Sequence, residues 1–220
     1  MGEQVFQHPP PVPAPTEPKA AFRAWVRQVR KGLNARDLGD IGAACEGVLW
    51  GLITDNCMSD HDRSLMVYVP IRGELDPILL ASHAISAGWV LCIGRGSSTT
   101  SPLHAVAVNP AFVGGGSWHR DGCDTDAWGM PVPRDHVPVR PGSLAAVLVP
   151  GQAFDERGQR LGRGAGVYDR FLASLPPSVL RVAMSPEALI VPQLPTDPHD
   201  VPMHFVVTER RVIAGEPVRR

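Results

Sequence analysis

The chain has 220 residues, enough for one sizeable domain to bury a core without disulfides or a structural metal. An apolar fraction of 44%, a charged fraction of 20% and a net charge of −1 exclude polyanion binding by bulk charge, so neither nucleic acid nor a membrane is an expected partner. Four scattered cysteines make no disulfide framework, no run reaches the ~20 apolar residues of a membrane span, and a cytoplasmic location is expected.

Residues 1–18, with Pro9, Pro10, Pro11, Pro13, Pro15 and Pro18, read as a disordered leader. A helix is predicted from Thr16–Pro18, Thr16 its cap, burying Phe22, Val26, Val29 and Leu33, with Lys19, Arg23, Arg27 and Arg30 off that face. A second helix, capped by Asp37 and running to about Ile53, turns Ile41, Val48, Leu49 and Leu52 inward. Strands follow at Ser64–Val69, Trp89–Ile93 and Leu103–Val108, with a helix over Asp76–Ala87. Asn109–Pro141, rich in Gly, Pro, Asp and Trp, reads as a long loop of the kind that covers a site. Leu144–Val149 is a buried central strand, Val167–Leu175 a helix and Leu180–Met184 a strand; Met203–Thr208 and Arg211–Ile213 form a closing hairpin. This alternation predicts an α/β fold, a three-layer α/β/α arrangement with a mainly parallel sheet flanked by helices. A single domain is expected over 19–214, with a short tail at 215–220.

The stretch after the central strand carries most of the chemistry. Asp155–Gly158 reads as a turn, and Gly162, Gly164 and Gly166 alternate just before a helix. Such glycines accept positive φ, so backbone N–H groups can converge on an anion. Arg160, Arg163 and Arg170 add positive charge, and Asp169 is a candidate magnesium ligand. The pattern is neither a Walker A loop nor a dinucleotide fingerprint; Gly94-Arg-Gly96 lacks the third glycine and the acidic residue of the latter.

Pro150-Gly-Gln-Ala-Phe-Asp155 followed by Gly158-Gln-Arg-Leu-Gly-Arg-Gly-Ala-Gly-Val-Tyr-Asp-Arg170 resembles the signature of the 5-formyltetrahydrofolate cyclo-ligase (methenyltetrahydrofolate synthetase) family. Lys19 and Arg23, Gly73-Glu-Leu-Asp76 and His199-Asp-Val-Pro with Val206-Val-Thr208 follow that family's order, so the likeness spans about residues 19–213. It implies an ATP- and Mg2+-dependent ligase of one-carbon metabolism that phosphorylates a formyl oxygen and closes a ring. It further implies that Lys19, Arg23, Gly162, Gly164, Gly166 and Asp169 bind the nucleotide, with Asp169 also the metal ligand. Arg160, Arg163 and Tyr168 would be catalytic, and Glu74 and Trp128 would face the substrate.

Departures gather on the substrate side. Pro77 stands where the family has Thr, Ile93-Gly94 where it has Leu-Pro, and Val132 where it has a Glu; Ala165 and Val167 are milder changes within the loop. Three readings therefore stand side by side. They are the family reaction on 5-formyltetrahydrofolate, a cyclodehydratase acting on another N-formyl or amide substrate (possible carrier-bound ligands included), and a non-catalytic nucleotide-binding relative. A monomer or a homodimer is expected. Cys57 with His61 and His119 with Cys123 have the spacing of two ligand pairs for zinc, though not of a standard finger.

Overall fold

A computed structural model of the chain describes residues 10–57, 63–71, 73–96, 103–114, 117–118, 123–126 and 129–217. Its centre is an eight-stranded sheet of β1 (Ser64–Val67), β2 (Val90–Arg95), β3 (His104–Val108), β4 (His136–Val139), β5 (Ala146–Leu148), β6 (Leu180–Met184), β7 (Phe205–Val207) and β8 (Val212–Ala214), in the order β8-β7-β6-β5-β1-β2-β3-β4. The five strands β2, β1, β5, β6 and β7 pair in parallel. β3 and β4 extend one edge and β8 the other, all antiparallel. The predicted mainly parallel sheet is present, with antiparallel margins.

Among the described residues four α-helices accompany it: α1 (Lys19–Val29), α2 (Ala35–Asn56), α3 (Ile78–Ser86) and α4 (Val167–Ala173). Strand alternation sorts the layers, because successive side chains leave opposite faces. Leu65 and Val67 of β1 join Leu49 and Ile53 of α2 and Leu80 and Ala84 of α3 in one core. Met66, between them, joins Phe171 and Leu172 of α4 in the other. Each such aliphatic side chain contributes ~1.5–3 kcal/mol when fully buried.

A second, small sheet places the site. Ala153–Asp155 pairs antiparallel with Arg160–Leu161 and parallel with Ile190–Val191. Against it lie Phe22, Trp25, Val26 and Val29, the apolar face of α1. The basic face of α1 is thereby held next to the glycine loop.

Several sequence expectations need correction. Pro18, not Thr16, is the α1 N-cap position, and it makes no side-chain cap. Pro10 of the leader lends its carbonyl to the Trp25 indole N–H at 3.0 Å. The cap of α2 is Asn34, with Asp37 the reciprocal partner of a capping box. The inward face of α2 is Gly42, Cys45, Leu49 and Ile53, while Val48 is 43% exposed. The supposed loop over 109–141 holds β4 and two small hairpins, Val113–Gly114 with Ser117–Trp118 and Cys123–Thr125 with Pro131–Pro133. Pro131, Pro133 and Pro138 disguise those strands, since proline lacks the ladder N–H and is confined to edges.

Candidate active site

The glycine loop is shaped by its backbone hydrogen bonds. Asp155, fully buried, accepts from the N–H groups of Arg157, Gln159 and Leu194, each at 2.9 Å. These bonds tie the tight turn at Gly158, whose φ is 76°, to the segment leading to the C-terminal strands. Arg160–Leu161 then returns along Ala153–Asp155, and the chain enters the glycines. Gly164 has φ 107° and Gly166, at the start of α4, has φ 62°. Gly162 does not share the positive φ expected of it; there a Cβ would instead lie 3.0 Å from the Arg160 guanidinium.

The charged side chains are brought together, though most are already paired. Arg160 Nη2 donates to Asp169 Oδ1 at 2.8 Å and Nη1 to the Pro150 carbonyl at 3.2 Å. The Arg160 guanidinium also lies 5.8 Å from the Tyr168 ring centroid. Arg163 Nη2 donates to Glu74 Oε1 at 3.0 Å, so the loop is joined to the segment that precedes α3. Arg23 Nε donates to the Gly162 carbonyl at 2.9 Å. Lys19 is bound to Asp197 and Asp200 at 2.7 and 2.5 Å. Burial pulls the Lys19 ammonium pKa down, but the hydrogen bonds and charges of those two carboxylates outweigh it and the net shift is upward. Its charge is thus balanced within the protein rather than left open for a ligand.

A cavity of about 330 Å³ opens between the loop and the carboxyl ends of β1, β2 and β5, a size suited to a small-molecule ligand. Gly162, Arg163, Gly166 and Asp169 line one side; Glu74, Gly94, Leu103 and Met130 line another. A Cβ on Gly94 would come within 2.9 Å of the Met66 Cε and 3.0 Å of a Leu103 methyl, so those side-chain ends would have to shift. Val132 is 2% exposed and belongs to the core, so the position that drew attention in sequence offers no polar group to the cavity. Burial, with the Glu74 charge behind it, pushes the Tyr168 phenol well above the ordinary range. The phenol stays protonated at neutral pH and can donate, not act as base.

Among the described residues one set of metal-type ligands clusters: Asp197, His199 and Asp200, with ligand atoms within 4.8 Å of one another. Lys19 already supplies the countercharge there. Trp128, His61 and His119 lie outside the described residues, and with them the substrate-facing place expected of Trp128 and both zinc pairs. Trp118 donates to Asp76 Oδ1 at 2.8 Å and packs on Phe112. Arg30, expected only on the basic face of the first helix, and Gln152, expected only within the loop motif, carry no site role in the sequence reading. Gln152 lines the cavity, and the Arg30 guanidinium donates to the Gly151 carbonyl at 3.3 Å. The available signal for Arg30 was its place two turns beyond Arg23 at the end of the same basic helix. No helix among the described residues is long and apolar enough to cross a membrane.

Comparison with known proteins adds a family. The model described as the 5-formyltetrahydrofolate cyclo-ligase family matches residues 17–209. A 5-formyltetrahydrofolate cyclo-ligase of Mycolicibacterium smegmatis is 34% identical over 176 residues, 70% of this chain and 77% of that protein. The Escherichia coli K12 protein of the same name is 38% identical over 80 residues, 36% of this chain and 43% of its own. In three dimensions, the Aquifex aeolicus 5,10-methenyltetrahydrofolate synthetase superposes with a TM-score of 0.72 at 25% identity, covering 92% of this chain and 95% of that one.

Proposed function

The chain belongs to the 5-formyltetrahydrofolate cyclo-ligase family, and from that premise we propose that it is an ATP- and Mg2+-dependent cyclo-ligase converting 5-formyltetrahydrofolate to 5,10-methenyltetrahydrofolate. The observation that carries this reading is the cavity itself, with the glycine loop, Arg160 and Asp169 along one side and Glu74 with an apolar wall along another. A formamide oxygen is a poor leaving group. Its attack on the γ-phosphorus forms an O–P bond as the bond to ADP breaks. The neighbouring amine nitrogen then bonds to the activated carbon, loses its proton, and the oxygen departs as phosphate. Catalysis of this kind is chiefly positioning and charge stabilisation.

Each part of the site has a task in that scheme. Gly164 and Gly166 let the backbone approach the phosphates, and Gly162 is held in place through its carbonyl by Arg23. Arg160 and Arg163 neutralise charge on the phosphoryl group. Lys19 acts at longer range, through its pairs with Asp197 and Asp200. Tyr168 lines the site as a donor, Glu74 accepts N–H groups of the substrate ring, and Trp128 keeps the substrate-facing role that the family likeness implies. Asp169, a hard oxygen ligand with a side chain 13% exposed on the cavity wall, fits magnesium, which takes one or two carboxylates and completes its shell with phosphate and water. When bound, that ion neutralises phosphate charge. The unit is taken as one cytoplasmic domain over 19–214, monomeric or homodimeric.

A second reading, the same chemistry on a different N-formyl or amide substrate, is motivated by the departures from the family pattern on the substrate side, of which Gly94 lines the cavity. One assay separates the two. Phosphate release from ATP and magnesium is followed with methenyltetrahydrofolate absorbance, with and without 5-formyltetrahydrofolate. Coupled rise of both signals is expected. ATP binding without folate turnover sinks the folate reading and moves the choice to the second.

A further inference from the structure

Arg163 holds Glu74 across the cavity, so a nucleotide that recruits Arg163 must take it away from a carboxylate whose side chain is only 11% exposed. A carboxylate so enclosed is costly to leave unpaired. A second guanidinium stands close by. Arg30, which follows α1, lines with Glu74, Tyr68 and Gly151 a small cavity of about 10 Å³ next to the main one. It lies against the turn that carries Glu74, since a Cβ on Gly73 would be 3.8 Å from its Nη1. Its Nε is buried and has no hydrogen-bond partner among the described residues, and the one hydrogen bond its guanidinium makes there, to the Gly151 carbonyl, is long at 3.3 Å. Burial lowers its pKa, and Glu74 is the leading charge opposing that fall.

We propose that Arg30 is a positioning residue that keeps Glu74 compensated when Arg163 turns to the nucleotide, so that filling the phosphate subsite readies the substrate carboxylate. The inference rests on the reading that the glycine loop binds ATP and Glu74 faces the substrate. Glu74 is then a two-position element, shared between a half-exposed arginine on the mobile side of the pair and an enclosed arginine on the fixed side. Arg163, with 54% of its side chain exposed, faces solvent beyond its pair with Glu74, so the cost of moving it falls on Glu74 rather than on its own burial. Arg30 is anchored to Gly151, at the foot of the same loop. Both ligand subsites bias one ion pair, which makes their affinities reciprocal.

The test is a double-mutant cycle read by calorimetric titration of a non-hydrolysable ATP analogue with magnesium. Removing Arg30 charge in R30M leaves Glu74 to compete for Arg163, and nucleotide binding weakens about tenfold. E74Q frees Arg163 and does not weaken binding. In the R30M/E74Q double variant the R30M loss disappears, and R30K, which retains charge, stays within about threefold of the wild type. If R30M does not fold, R30Q takes its place in the cycle, and the R30K result stands beside it. A residue that merely fills space gives the same loss with or without Glu74, and such additivity overturns the inference. Wild-type protein that binds no nucleotide refutes instead the functional reading on which it rests.

Discussion

Replacing the loop glycines one at a time separates backbone geometry from side-chain crowding. At Gly164 the φ of 107° lies outside the left-handed helical well, so an alanine there is strained by ~2 kcal/mol. Its Cβ also arrives 3.4 Å from the Arg23 guanidinium, which holds the Gly162 carbonyl. At Gly166, φ 62° is left-handed helical and Ala costs ~1 kcal/mol. At Gly162 φ is not positive; the new Cβ meets only the end of Arg160, although that end is pinned by Asp169 and Pro150, and the cost stays below ~1 kcal/mol. The strain at Gly164 must surface somewhere. If the loop keeps its shape, a chain of this size melts about 4–8 °C lower. If the loop relaxes, the cradle is lost and nucleotide affinity falls about thirtyfold. Thermal melts and calorimetric titration on G162A, G164A and G166A read both quantities. G164A with unchanged melting temperature and unchanged affinity would refute the claim that the positive φ shapes the binding loop.

Three further outcomes are expected. D155N replaces one acceptor oxygen by an NH2 that faces a backbone N–H, so urea unfolding should show a loss of ~2–4 kcal/mol, and a loss under ~0.5 kcal/mol would contradict the keystone role of Asp155. D169N removes the carboxylate proposed for magnesium and strands Arg160 beside it, so kcat should fall about a hundredfold or more while the magnesium requirement shifts upward; an unaltered magnesium dependence argues against the assignment. His204 is buried with its Nδ1 accepting from the Arg181 N–H, and burial, then the Arg181 charge, lower its pKa to about 4. The unfolded chain, with an ordinary histidine pKa of ~6.5, binds the proton first, so stability is full above that pH and is lost as pH falls toward about 4, by up to ~3 kcal/mol. H204N should flatten the pH dependence of the melting temperature across that window, and an undiminished slope would assign it to other groups.

Leu144–Val149 was legible because a buried parallel strand is continuously apolar, Leu180–Met184 because only Arg181 interrupts its apolar run, and α1 because Phe22, Val26 and Val29 keep helical spacing. β4 was not, since Pro138 sits within an edge strand that pairs on one side only and Val137 is 65% exposed, leaving no apolar period to read. The inward face of α2 was misplaced by the apolar Val48, which the sheet leaves outside while Cys45 and Ile53 go in.

For the site, local sequence determined which backbone could cradle an anion. Glycine adopts the conformations at Gly164 and Gly166 without the strain a side chain would add, and Arg160 and Asp169 are near enough in chain for short-range geometry to pair them. Tertiary structure decided how charge is shared. Lys19 meets Asp197 and Asp200 about 180 residues away, Arg163 meets Glu74 across the cavity, and Arg30 comes to lie beside Glu74 because α1 packs its apolar face on the small sheet under the loop. Such pairings depend on which surfaces are brought into contact by burial, a property of the packed layers that no local pattern encodes.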